Sequence, residues 1–391
     1  MERLLDDSGG QRGTDTRIGG GSCDSSRPEA SNRDRGDGPG NPSGGIPATR
    51  AGSVKRLTAR RWLAVVFSMT MLLLAAIVVC SLIGPTPLDI GEALESSIVP
   101  NPQRMILFGI RLPRILLAGL IGGALAGAGV VFQAILRNPL ADPYVLGISS
   151  GAALGAASGI LMNLQQSLVG FSAITVCAFA GALLTIFFVY AIAQSYGRVL
   201  THSLLLTGVI INYVFAALIM LITALVDFTK AREIIFWLMG NLSKTEYNYF
   251  TLLAAFGYIF IGSMILLWRS RDLNLLSLGE ASASQLGVEV ERLKRLAFVA
   301  TSLITAGAVA EAGPIGFVGL IIPHAMRMLF GPDHRLLFPA AFLGGGIFLI
   351  FSDTVARVGI GGSEIPVGVV TALCGGPLFI FLLRRQIRKT G

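Results

Sequence analysis

Between Pro143 and Gly197 lie 55 consecutive residues without an Asp, Glu, Lys or Arg. A soluble domain of ordinary composition carries about a quarter charged residues, so a stretch of this kind points to a lipid environment. It is too long for one crossing, because a helix needs about 20 apolar residues to traverse ~30 Å of hydrocarbon. The polar group Asn163-Leu-Gln-Gln-Ser167 divides it into two spans. Comparable runs recur along the chain, at Trp62 to Ile83, Ile115 to Leu136, His202 to Val226 and Tyr247 to Trp268. Two shorter ones, Leu296 to Ala310 and Ile315 to Met326, meet at Glu311-Ala-Gly-Pro314, and Leu336 to Ser352 and Ile365 to Leu383 bring the expected number to ten. The pattern predicts an all-α polytopic membrane protein of ten transmembrane helices and excludes a soluble globular enzyme.

Charge placement predicts the orientation. An even number of spans leaves both termini on one side, and loops rich in Lys and Arg stay in the cytoplasm. With cytoplasmic termini, 17 basic residues near the membrane fall inside, among them Arg60, Arg61, Arg137, Arg269, Arg295, Arg335 and Arg384. Seven fall outside: Arg104, Arg111, Arg114, Lys230, Arg232, Lys244 and Arg357. The net charge of +8 is therefore mostly an inside collar plus the N-terminal tail, and it is poor evidence for nucleic-acid binding. Residues 1–61 alone hold 11 basic and 8 acidic side chains. Residues 1–57 are rich in Gly, Ser, Asp, Arg and Pro, lack aromatics, and are expected to form a disordered cytoplasmic tail. A signal peptide is not expected, since the first apolar run begins only at Trp62; the other reading of the tail is a translation start further in.

Motifs for chemistry are missing. Cys23, Cys80, Cys177 and Cys374 have no metal-type spacing, and His202, His324 and His334 are scattered, so neither a disulfide, a bound metal nor a cofactor is expected on this chain. Gly240-Asn-Leu-Ser-Lys-Thr245 lacks the glycine before the lysine that a phosphate-cradling loop requires. Energy for any pumping must then come from a partner. Small residues are abundant instead. Gly123 and Gly127 form one GxxxG, and Gly147, Gly151, Gly155 and Gly159 form a series at four-residue spacing, which lets membrane helices approach closely. Prolines in Arg111-Leu-Pro-Arg114 and Arg137-Asn-Pro-Leu-Ala-Asp-Pro143 bracket the second span and predict helix ends there.

The stretch RLPRILLAGLIGGALAGAGVVFQAILRNPLADPYVLGISSGAALGA (residues 111–156) resembles the FecCD-type permeases, the membrane subunits of binding-protein-dependent ABC importers for ferric siderophores, haem and vitamin B12. The likeness continues through Trp237-Leu-Met-Gly240, the segment Leu273 to Gly287, Gly313-Pro-Ile-Gly-Phe-Val-Gly-Leu-Ile-Ile-Pro-His324, Asp353-Thr-Val-Ala-Arg357 and Glu364-Ile-Pro-Val-Gly368. It covers the chain from about Trp62 onward. It implies a homodimer in a bacterial cytoplasmic membrane, with two ATPase subunits that hold ATP and Mg, one external binding protein, and no nucleic acid. Ferric siderophore is the first expectation for the cargo, with vitamin B12 or haem as alternatives. A stand-alone ion-coupled secondary transporter is the reading from another class, and it would show paired interrupted spans around a midplane ion site.

Three groups of site residues follow. The resemblance implies that Arg111, Arg114 and Arg357 meet acidic residues of the binding protein. Guanidinium groups suit such partners, although Arg357 lies four residues after Asp353, a separation that also favours an internal pair. It further implies that Gly279, Glu280, Ala281, Ser282, Ser284, Gln285, Leu286 and Gly287 form the segment that couples to the ATPase. There Ser282-x-x-Gln285 has the form of a capping box, whereas the charged Glu289 to Arg295 reads as the basic flank of the seventh span. Polar residues inside spans, Gln133, Asn212, Glu311 and His324, are candidates for the translocation pathway, and equally for bonds between helices.

Overall fold

A computed structural model of the chain describes residues 57–94, 101–164, 167–168, 171–195, 198–243, 249–359 and 364–390. The expected tail, residues 1–57, lies outside the described residues except for Leu57, as does Lys244. The helices are α1 (Ala59–Leu82), α2 (Ile90–Leu94), α3 (Pro102–Arg104), α4 (Leu112–Ile135), α5 (Ile148–Leu161), α6 (Ala173–Ala193), α7 (Thr201–Leu225), α8 (Phe228–Leu238), α9 (Tyr249–Trp268), α10 (Ser270–Ser277), α11 (Glu280–Gln285), α12 (Val290–Ala312), α13 (Val318–Phe330), α14 (His334–Val358) and α15 (Val367–Thr390). Two antiparallel pairings of two residues each, Ser167–Leu168 with Phe171–Ser172 and Gln194–Ser195 with Arg198–Val199, flank α6.

Seven helical segments are long and apolar enough to cross a membrane, judged by length and composition. The apolar helices Ile148–Leu161, Val318–Phe330 and Val367–Phe381 are shorter. α5 begins later than the uncharged run because Asp142 caps a 3-10 turn over Pro143–Leu146, and Gly147 then takes φ 83°. α13 is short because the chain passes through positive φ at Gly313 and at Phe317 before it. α12 is longer than expected: it starts at Val290, and at 23 residues it belongs among the long helices.

The proline of Arg111-Leu-Pro-Arg114 does not end a helix, contrary to the sequence expectation. A π-helical stretch, Met105–Arg111, leads directly into α4, giving a 34-residue helical run from Pro102. Pro113 lies inside this run, just after the π-helical stretch, whose wider geometry absorbs the ring and the missing N–H.

α4 is the centre of the bundle. Within the most apolar part of each helix, 83% of residues are buried in the Pro102–Ile135 run, 78% in α12 and 72% in α14, against 11% in α1 and 17% in α7. Helices apolar on every side whose outward faces remain uncovered are what a lipid-exposed bundle requires. Small residues set the spacing. Gly123 lies against the ring of Phe342 and Gly127 against that of Phe338, while Gly122 meets the carbonyl oxygen of Gly345. Along α5, Gly151 faces Thr185 and Gly181, Gly155 faces the carbonyl oxygen of Cys177, and Gly159 faces the Cys177 side chain. Gly147 departs from this series: it stands at the helix start and abuts Thr185 from there.

Candidate functional site

The three arginines expected to face outward meet at one end of α4, and all three are buried. α1 ends at Leu82 without a basic residue in its last turn, leaving carbonyls unpaired where the helix dipole is negative. Arg111 supplies the cap, donating from Nη1 to the carbonyl of Leu82 at 3.2 Å and to that of Ser81 at 3.4 Å, and from Nη2 to Thr86. Arg357 donates from Nη2 to the Cys80 carbonyl at 3.0 Å and to Thr354 Oγ1 at 3.1 Å. Beside them Asp353, fully buried, takes a hydrogen bond from Arg114 Nε on Oδ1 at 3.0 Å, and its Oδ2 lies 3.1 Å from Arg357 Nε. Arg114 also donates from Nη1 to Glu364 Oε2 at 3.0 Å.

Glu364 is the exposed member of this cluster, at 43%. Partial burial works against its charge, but the hydrogen bond and the positive charge of Arg114 prevail and hold its carboxyl below the usual glutamate range. The helix-separation pair noted in the sequence, Asp353 with Arg357, is therefore formed. Fixed cations in a low-dielectric site must be paired, and within the chain these three are paired with Asp353, Glu364 and the end of α1.

The other end of α4 meets α10, on which α11 packs. The Arg137 guanidinium lies 3.9 Å from where a Cβ of Gly279 would stand. Gly279 and Gly287, with φ of 124° and 86°, bracket the six-residue α11, and such angles favour glycine. Ala281, Ser282, Ser284, Gln285 and Gly287 face solvent, Glu280 is half-buried and Ala283 is buried. Leu278 and Leu286, just outside the two helix ends, are 66% and 61% exposed. The capping box does not form: Gly279 is the cap residue and no side chain caps the helix, because the glycine turn starts it two residues before Ser282.

α10 is tied to the start of α14. Asn274 Nδ2 donates to Asp333 Oδ1 at 2.8 Å, and Asn274 Oδ1 accepts from the backbone N–H of His334 at 2.8 Å. Despite the opposing effect of partial burial, hydrogen bonds from Arg335 and Asn274 hold the Asp333 carboxyl down at about 2. α1 joins the same end, with Trp62 Nε1 donating to the carbonyl of Arg335 at 3.0 Å.

Among the pathway candidates, Gln133 and Asn212 bond between helices. Gln133 Oε1 accepts from Arg327 Nη2 at 2.9 Å and its Nε2 donates to the Leu320 carbonyl at 3.4 Å, joining α4 to α13. Asn212 Oδ1 accepts from Ser150 Oγ at 2.6 Å, and its Nδ2 donates to the carbonyls of Tyr144 and Val145. Glu311 and His324 are buried in α12 and α13, and His324 Nδ1 has no hydrogen-bond partner among the described residues. Among the described residues no group of three or more His, Cys, Asp or Glu is placed to hold a metal ion.

Sequence reasoning missed two contacts. Tyr144 Oη donates to the Ile315 carbonyl at 2.8 Å and accepts from the Ile315 N–H at 2.7 Å, pinning the 3-10 turn to the segment between α12 and α13. Lys294 is buried and lies 2.7 Å from Glu280, so it is more than a basic flank. Its signal was available, since Ala297, Phe298 and Thr301, at helical spacing from it, are all apolar or small and buried.

Comparison with known proteins agrees with the resemblance in the motifs. The chain is 45% identical over 294 residues to the cobalamin import system permease protein BtuC of Halobacterium salinarum, covering 74% of this chain and 76% of that one. It is 40% identical over 282 residues to the hemin transport system permease protein HmuU of Yersinia pestis, covering 72% and 84%. It is 37% identical over 331 residues to the vitamin B12 import system permease protein BtuC of Klebsiella pneumoniae, covering 84% and 95%. A solved metal-chelate type ABC transporter in an inward-facing conformation superposes with a TM-score of 0.71 at 36% identity, covering 82% of this chain and 99% of that one. The model of the FecCD transport family matches residues 72–385, and the chain belongs to that family.

Proposed function

We propose that the chain is the membrane-spanning permease subunit of an ABC importer that carries a metal chelate into the cytoplasm. It works as a homodimer with two ATPase subunits and one external binding protein. Seven long helices and three shorter apolar ones supply ten crossings, with both termini and α11 at the cytoplasmic face. The observation that carries this reading is α11 itself. A short solvent-facing helix between two positive-φ glycines, flanked by exposed Leu278 and Leu286, offers an apolar ridge that a cleft in an ATPase would cover.

The names of the relatives, for cobalamin and hemin systems, support a corrinoid or a haem at least as well as the ferric siderophore expected from the sequence. A panel of cyanocobalamin, hemin and a ferric hydroxamate, offered to vesicles containing the full importer, tests this. Uptake of cyanocobalamin or hemin supports a tetrapyrrole-type cargo, uptake of the hydroxamate alone restores the first expectation, and uptake of none of the three refutes the metal-chelate class.

Docking through Arg111, Arg114 and Arg357 enters the proposal in a restricted form. A carboxylate of the binding protein must displace an internal partner, and Glu364 at the surface is the partner of Arg114 whose release costs least. Arg111 and Arg357 then act by holding the end of α1 in place.

A further inference from the structure

α11 is too short to hold itself in place, since isolated helices of its length are unstable in water. Among its side chains only Ala283 is buried. Its two ends pass through glycines in positive φ, where no Cβ resists rotation. A segment attached in this way transmits a push only if another contact ties it to a rigid element.

The tie is ionic. Glu280, the first residue of α11, sets its Oε1 2.7 Å from Nζ of Lys294, and Glu291 Oε1 stands 3.6 Å from the same ammonium. Lys294 is only 4% exposed while the two carboxylates are 40% and 35% exposed. A lysine is seldom buried to this degree without a partner. Its stem lies on the face of α12 that also carries the buried Ala297, Phe298 and Thr301. Glu280 is 40% exposed, so the pair is individually modest in strength, but the buried ammonium fixes the point on α12 at which α11 is held. From Lys294, α12 runs unbroken to Ala312, next to the segment that Tyr144 pins at Ile315.

We propose that Lys294 is the positioning residue that fastens α11 to α12, so that its ion pair with Glu280 converts displacement of the solvent-facing segment into movement of a membrane-spanning helix. This rests on the reading of α11 as the contact for an ATPase.

The test uses the complete complex of this chain with its ATPase subunits in lipid nanodiscs. It reads amide hydrogen exchange across residues 290–312 before and after trapping with ATP and vanadate, compared at equal ATPase occupancy. In the wild type, trapping changes the exchange. Lys294→Met keeps the buried stem and leaves the partly exposed carboxylates of Glu280 and Glu291 within reach of water, so the bundle still packs; less than a fifth of the wild-type change is expected. Glu280→Gln, on a half-exposed side chain, is expected to behave alike, and Lys294→Arg to recover at least half. A full response in K294M or in E280Q overturns the proposal. So does a response as low in K294R as in K294M, or loss of ATPase capture in both K294M and E280Q, which would make the pair part of the docking surface. A wild-type chain that captures no ATPase refutes the reading of α11 instead.

Discussion

Asp353 is held by two guanidinium groups, at 3.0 Å from Arg114 and 3.1 Å from Arg357, with none of its side chain exposed. Asp353→Asn keeps the shape and removes the charge. Two unit charges 4 Å apart attract by about 4 kcal/mol at an effective dielectric of ~20, which is what offsets the desolvation of the two cations. Removing one member of such a buried group costs about 3–5 kcal/mol, because the remaining charges stay buried. Glu364→Gln removes a carboxylate that is 43% exposed, where ~0–1 kcal/mol is the usual size. Arg114→Met falls between them, since Asp353 keeps Arg357. Thermal unfolding of the purified chain in detergent measures the order. With Cys23, Cys177 and Cys374 replaced by Ser, a thiol-reactive dye reports it locally, because Cys80 is fully buried and its carbonyl accepts from Arg357. The midpoint is expected to fall most for D353N and least for E364Q. A shift for E364Q as large as that for D353N would refute the claim that the buried carboxylate is the centre of the cluster.

Two further outcomes follow from the geometry. A methyl at Gly155 would collide with the Cys177 carbonyl oxygen, whereas Gly257 has open space around it. Gly155→Ala is therefore expected to destabilise by about 1–3 kcal/mol, while Gly257→Ala is neutral or gains up to ~1 kcal/mol from helix propensity; thermal midpoints of the two variants compared with wild type decide this. Asp142 caps the 3-10 turn through the Tyr144 N–H, and burial pushes its carboxyl from 3.8 up to about 6, with that hydrogen bond opposing. A carboxyl raised in the folded state contributes fully below about pH 4 and loses that contribution as pH rises through about 6. Asp142→Asn, which still caps, should raise the melting midpoint above pH 6 and leave it unchanged at pH 4; a gain confined to pH 4 contradicts the sign.

Hydropathy and charge make the helical class legible because lipid imposes length and composition directly on sequence. The seven long helices fall within or overlap the expected runs. What stays hidden depends on partners far apart in the chain. Pro113 reads as a stop because nothing local shows that Met105–Arg111 widens to a π-helix before it. The internal partners of the arginines are hidden because the end of α1, which Arg111 and Arg357 cap, lies 29 to 277 residues away. Asp353 with Arg357 is visible, being four residues apart on one helix. Tyr144 carries no local signal for its bond to Ile315, 171 residues distant. Lys294 reads as a flank because charge counting treats every basic residue near a membrane alike, and only the apolar register of α12 distinguishes a buried one.

The central claim is that this chain moves its cargo only as the membrane part of an ATP-driven assembly. Vesicles holding the chain alone, the chain with its ATPase, and the chain with ATPase and binding protein, each loaded with ATP or with an imposed ion gradient, test it directly. Uptake is expected only in the third set and only with ATP. Uptake by the chain alone, driven by the ion gradient, would contradict the account.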